Sequence, residues 1–142
     1  MRRLFNAITR LHVAVYRLSG GRIGSRIKRD APVLLLTTTG RKTGKRRTNP
    51  LIYVEDGEGY AVVASMGGAP RHPAWYLNLR SHPDVNVQVK NRRLAARAEP
   101  AGDEDRARLW PRMTAIWPQY DDYQTKTSRR IPVVMLQPRR GE

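Results

Sequence analysis

What most constrains this chain is a succession of short apolar runs cut apart by glycine, proline and polar turns, with few stretches at helical spacing between them. Runs at 33–38, 48–55, 60–65, 85–90, 93–99 and 132–136 have the length and composition of β-strands. Asp56-Gly57-Glu58-Gly59 reads as the hairpin turn between the second and third, and Lys90-Asn91-Arg92-Arg93 as the turn between the fourth and fifth. Val85, Val87 and Val89 alternate with Asn86, Gln88 and Lys90, the pattern of an antiparallel strand with one face in the core. Strands without a helix after each one predict a small barrel or meander rather than a doubly wound sheet. The expected fold class is therefore α+β, mainly β, and 142 residues suffice for one globular domain with one core.

Three segments depart from that pattern. Leu4, Ile8, Leu11, Val15 and Leu18 follow at spacings of four, three, four and three, one face of an amphipathic helix closed by Gly20-Gly21. Phe5 and Ala14 widen this stripe, while Arg3, Arg10 and Arg17 recur on another side. Two readings stand: a helix packed on its own domain, or one lying on an anionic membrane through residues 1–22. Residues 73–80 open with Pro73 where a missing amide hydrogen costs nothing, and a further helix starts at Asp103-Glu104-Asp105. Pro111 is expected to restart or kink it. The chain divides into a basic helix and loop over 1–29 and a globular part over 30–142.

Composition narrows the chemistry. The absence of cysteine removes disulfides and thiolate catalysis, and His12, His72 and His82 lack metal-ligand spacing. No apolar run is long enough to span a bilayer and no secretory signal is evident, so a cytoplasmic location is expected. The formal charge of +15 calls for a polyanionic partner: nucleic acid, an anionic membrane or a multiply charged small molecule.

The charge is concentrated in Gly40-Arg41-Lys42-Thr43-Gly44-Lys45-Arg46-Arg47, between two apolar runs. Positive charge, backbone amides and close approach there suit a phosphate, although such a turn is also an ordinary solvated surface. It is not a Walker loop, because Gly44-Lys45 leads into Arg46 and a strand rather than into Ser/Thr and a helix. A second constellation, Ser65-Met66-Gly67-Gly68 leading to His72-Pro73-Ala74-Trp75-Tyr76-Leu77-Asn78, runs from a strand through a glycine pair to a helix N-terminus. It suits a planar ligand with Trp75 alongside, or a structural loop with a core tryptophan. A third, Trp117-Pro118-Gln119-Tyr120-Asp121-Asp122-Tyr123, sets two tyrosines on one side of a helical turn, as pocket lining or as plain core.

Taken in order, Thr37 to Gly44, Arg47-Thr48-Asn49-Pro50-Leu51, the Ser65 to Leu79 segment, and Tyr120 to Tyr123 followed by Arg130-Ile131-Pro132-Val133 resemble the deazaflavin-dependent nitroreductase family, over about residues 30–137. The resemblance implies an FMN-binding-like split β-barrel that uses reduced coenzyme F420, a cofactor with a deazaflavin ring, a phosphate and an acidic oligoglutamate tail. It implies that Arg41, Lys42 and Thr43 hold the phosphate, and that Arg47, Thr48, Asn49, Pro50, Leu51 and Ile52 continue the groove wall. Val63, Ala64, Ser65 and Met66 would lie against the ring, with Ala74, Trp75, Tyr76, Leu77 and Asn78 beside it. Ser65, Met66, Tyr120 and Tyr123 would form the acceptor pocket, Tyr123 also touching the ring. Met66 stands where some members carry a polar residue, which implies a more apolar pocket here.

The implied reaction is hydride transfer to a quinone, a nitroaromatic or an activated enone, with no catalytic acid assigned, in an enzyme peripheral to the cytoplasmic face of the membrane. Two other readings stand beside it: the same barrel with FMN, and a basic nucleic-acid-binding module. The second has little beyond charge in its favour, since the aromatics form no base-stacking platform and nucleic acid is not the expected partner.

Overall fold

A computed structural model describes residues 9–14, 16–17 and 31–139, and the backbone of 26–27. Residues 9–14 and 16–17 are helical (α1). After them come β1 (Arg26–Ile27), β2 (Ala31–Thr39), β3 (Arg46–Asp56) and β4 (Gly59–Val63), then a 3-10 turn at Met66–Gly68 and α2 (Ala74–Ser81). The chain continues through β5 (Asp84–Val89), β6 (Arg92–Pro100), α3 (Asp103–Ile116), α4 (Gln119–Thr125) and β7 (Val133–Pro138).

The strands run in the order β2-β3-β4-β7-β6-β5, and β5 pairs back onto β2, closing a six-stranded antiparallel barrel. All six expected runs are strands of this barrel; two-residue β1, paired to the start of β2, is the addition that no pattern marked.

Both faces of the barrel wall are covered, which is why β2 reads as an unbroken apolar run rather than an alternating one. Leu34 and Leu36 point inward with Tyr53, Tyr60, Val62, Val85, Val87, Val134 and Leu136. Val33 and Leu35 point outward with Ile52, Val54, Ala61, Val63 and Val133, beneath Val13 and Tyr16 of α1, Leu109 and Met113 of α3 and Tyr120 of α4. Trp75, Tyr76 and Leu79 of α2 join the inner cluster. Each fully buried leucine or valine contributes about 1.5–3 kcal/mol. Pro50 fits inside β3 because β2 pairs with residues 46–52 and β4 only with 53–56, so one edge of the strand is unpaired there.

Two helical expectations change. α3 does not restart at Pro111: Leu109 and Met113, four residues apart, are fully buried on one face, while Pro111 is exposed on the other. Burying both outweighs the roughly 3 kcal/mol that an interior proline costs. In α1 the buried side chains are Val13 and Tyr16, whereas Leu11 of the expected apolar stripe is 66% exposed. Tyr16 decides the orientation: its hydroxyl donates to the Gln88 carbonyl (3.3 Å) and accepts from the Lys90 amide (2.7 Å). The stripe positions Leu4, Ile8, Val15 and Leu18 lie outside the described residues. Among the described residues no helix is long and apolar enough to cross a membrane.

Candidate functional site

The β2–β3 turn closes on itself through Gly40 N–H to the Lys45 carbonyl (2.7 Å) and Gly44 N–H to the Gly40 carbonyl (2.9 Å). It leans on α2 through one residue. Buried Asn78 accepts from the Arg41 amide (3.1 Å) and from the Arg41 guanidinium (2.9 Å) through Oδ1, and donates to Thr38 Oγ1 through Nδ2 (3.2 Å). All of this fixes the turn's backbone and leaves Lys42 and Thr43 exposed beside it.

A groove of about 820 Å³ opens there between the turn, the start of β3, α2 and α1. It is lined by Arg41, Lys42, Thr43, Arg47, Thr48, Asn49, Ala74, Trp75 and Asn78 from the expected set, and by Thr9, Arg10, Val13, Ala14, Arg17, Gly40 and Arg46 from outside it. Among these lining residues there are six cations and no carboxylate. Arg17 reaches across to donate to Thr48 Oγ1 (2.8 Å), whose hydroxyl also shares a hydrogen bond with Thr37 (2.8 Å).

The Ser65 segment is organised differently. Met66, Gly67 and Gly68 have φ of +47°, +64° and +84°, three successive residues in the left-handed region. For Met66 this conformation costs of the order of 1–2 kcal/mol. Gly68 is required twice over, since a Cβ there would also stand 2.6 Å from the Tyr123 carbonyl oxygen. That close approach seats the turn on α4, with Gly68 against Tyr123 and Lys126. Arg129 holds the whole segment: its guanidinium donates to the carbonyls of Ser65 (2.7 Å), Ala69 (2.8 Å) and Ala64 (3.2 Å) and reaches His72 Nδ1 (3.2 Å). Burial, then the charges of Arg129 and Arg80, push the His72 imidazole below its ordinary pKa.

Arg129 is in turn placed by α3 and α4. Gln124 donates to the Arg129 carbonyl (2.8 Å) and accepts from the Ile131 amide (2.9 Å) and from Arg106 (3.1 Å), which also donates to the Ile131 carbonyl (3.0 Å). Tyr120 and Tyr123 lie on the same side of α4 with ring centroids 6.1 Å apart. Tyr120 is buried against Trp110 (6.3 Å), and burial raises its phenol pKa well above the usual range; Tyr123 is half-buried and accepts from Trp117 Nε1 (3.4 Å).

The remaining expected residues sit behind these surfaces. Ile52, Val63, Ala64 and Tyr76 are buried in the two apolar clusters, Leu51 and Leu77 pack against the inner one, and Pro50 is half-buried in β3. Sequence reasoning missed Arg129, which looks like any other surface cation beside Arg130, and missed the groove-facing side of α1. Sixty residues or more separate Arg129 from the carbonyls at 64, 65 and 69. The only local signal for α1 was the recurrence of Arg10 and Arg17 on a face apart from the leucines.

The closed barrel with this flanking groove defines a split-barrel class of protein. HutZ, the heme storage protein of Vibrio cholerae, shares that fold at a TM-score of 0.60 and 17% identity, over 77% of this chain and 82% of its own. Residues 8–138 match the F420H(2)-dependent quinone reductase family. A Mycobacterium tuberculosis protein of that same name is 48% identical over 132 residues, covering 91% of this chain and 89% of its own length. A solved F420-H2 dependent reductase, FDR-A, is 44% identical with a TM-score of 0.70, over 75% of this chain and 94% of that one. The chain belongs to the F420H(2)-dependent quinone reductase family, oxidoreductases whose cofactor is coenzyme F420. This membership does not favour the FMN and nucleic-acid readings.

Proposed function

We propose that this chain binds reduced coenzyme F420 in the groove beside the Gly40–Arg47 turn and passes its hydride to a quinone held near Ser65, Met66 and Tyr123. The observation that carries the reading is the groove's lining: six cations without a carboxylate, together with the apolar side chains of Trp75, Val13 and Ala14. That donor set fits a ligand carrying a phosphate and a flat ring. When bound, the cofactor supplies the two-electron chemistry.

The protein's part is positioning. Lys42 and Thr43 hold the phosphate, and Arg41, braced by Asn78, keeps the turn in the shape that lets them do so. Thr48 and Asn49 continue the wall, and Trp75 flanks the ring. Ser65 and Met66, on a backbone clamped by Arg129, face the ring and the acceptor, and Tyr123 closes the acceptor side with Tyr120 packed behind it. Met66 is 52% exposed, which supports an apolar contact with a quinone rather than a polar one. The reduced acceptor takes its protons from solvent or from a nearby hydroxyl.

The test is a titration followed by turnover. The purified protein should bind F420 in the micromolar range by fluorescence and oxidise its reduced form with quinones faster than with nitroaromatics or enones. Binding of FMN or of duplex DNA in place of F420 would overturn the reading.

A second reading concerns location: peripheral contact of α1 with an anionic membrane on its cytoplasmic side. One observation favours it, the outward exposure of Leu11. Deleting α1 is a poor test, because it removes Tyr16 and a groove wall along with Leu11. Leu11→Ser should reduce association with anionic liposomes and leave turnover of a soluble quinone unchanged; unaltered association rejects the contact.

A further inference from the structure

A second cleft, about 350 Å³ in volume, lies on the outer face of the barrel where β5 pairs back onto β2. Arg46, Arg93, Asn86, Gln88, Thr37 and Arg17 supply its polar lining, and no carboxylate is among its lining residues. Arg17 and Arg46 also line the groove beside the Gly40–Arg47 turn, so the two spaces share this pair of cations.

The junction is built, not incidental. Tyr16 pins α1 to the Gln88–Lys90 backbone, and this places its neighbour Arg17 over the passage, where it donates to Thr48. Arg46 is tied to Asn86 across the passage. Beyond them Arg93, directly opposite Gln88 on the paired strand, is exposed and makes no ion pair with a carboxylate among the described residues. Three cations lining one cleft, with amide and hydroxyl groups and no aromatic side chain among its lining residues, suit a flexible string of carboxylates better than a single-stranded nucleic acid, which would need a stacking surface.

We infer that this cleft is the subsite for the carboxylates of the cofactor's acidic tail, entered between Arg17 and Arg46 from the phosphate end of the groove, with Arg93 as its far contact. The inference rests on the F420 reading above. It makes the barrel-closing seam a determinant of which tail lengths the protein prefers.

The test measures binding, by fluorescence, of two forms of F420 to the full chain: one without glutamates and one with several. The native protein should bind the long-tailed form about tenfold more tightly, an increment that shrinks with salt. Arg93→Gln should reduce that preference about threefold, the scale of one exposed ion pair, and Arg93→Glu should reduce it further. In both variants the tail-less form should bind as before, whereas Lys42→Ala should weaken both forms alike. Failure of both forms to bind the native protein would overturn the F420 reading itself. Equal affinity for the two forms, or equal losses for both in Arg93→Glu, would overturn the tail subsite while leaving that reading intact. Because Arg93 is exposed beside a turn, circular dichroism suffices to confirm that its variants fold.

Discussion

The β2–β3 turn, which lines the groove, and the Ser65–Gly68 turn, to which the proposed function gives the acceptor, are built in opposite ways. The first is local: its closing hydrogen bonds span no more than five residues, its cations are exposed, and two asparagine side chains tie it to the rest, Asn78 at Arg41 and Asn86 at Arg46. The second is strained and long-range: three left-handed residues seated on α4 and clamped by an arginine sixty or more residues away. A region that only attracts an anion can be made of exposed charge, because charge acts through solvent-facing space. A region that must present a ring and an acceptor at fixed distance needs a rigid backbone, and rigidity comes from buried, satisfied polar groups.

This contrast predicts separable losses, the largest at the second turn. Arg129→Ala leaves the carbonyls of Ala64, Ser65 and Ala69 without their charged donor and should cost about 3 kcal/mol, lowering the unfolding temperature by roughly 10 °C. Turnover should fall far more than cofactor affinity, and an equal fall in both would erase the distinction. Gly68→Ala puts a Cβ 2.6 Å from the Tyr123 carbonyl oxygen at φ +84° and should destabilise by about 2 kcal/mol, seen in denaturant titration. Lys42→Ala should leave stability within about 0.5 kcal/mol and weaken F420 binding about tenfold, read by fluorescence titration.

The smallest effect is one of pH. His72 has a pKa below its ordinary 6.5 in the folded chain, chiefly through burial and then through Arg129 and Arg80. Between 6.5 and the lowered value the unfolded chain binds a proton that the folded chain does not, so stability falls as the pH falls through that window and is complete above it. Protonation would also set a cation against Arg129, at 3.2 Å. Unfolding curves of the native protein and of His72→Asn should therefore diverge below pH 6.5 and run parallel above it; parallel curves throughout would remove His72 from the clamp.

Legibility followed the same division. The six barrel strands were visible because strand period and turn chemistry are local. The cationic turn was visible for the same reason. The direction of α1 was not, because Val13 and Tyr16 rather than Leu11 turn inward only once a Gln88–Lys90 backbone exists for the tyrosine to bond. Nor was continuity through Pro111, which depends on a barrel face for Leu109 and Met113 to cover.

The amino-acid order by itself determined the barrel's strands, the position of its cationic turn and, through three motifs in sequence, the family and its cofactor. Only the tertiary structure decided that α1 forms a wall of the groove, that Arg129 reaches back to the Ser65 segment, and that Arg17 and Arg46 line both the groove and a second basic cleft. Local properties are written in neighbouring residues, whereas the destination of a long charged side chain depends on which unpaired carbonyls and open spaces the folded chain leaves within its reach.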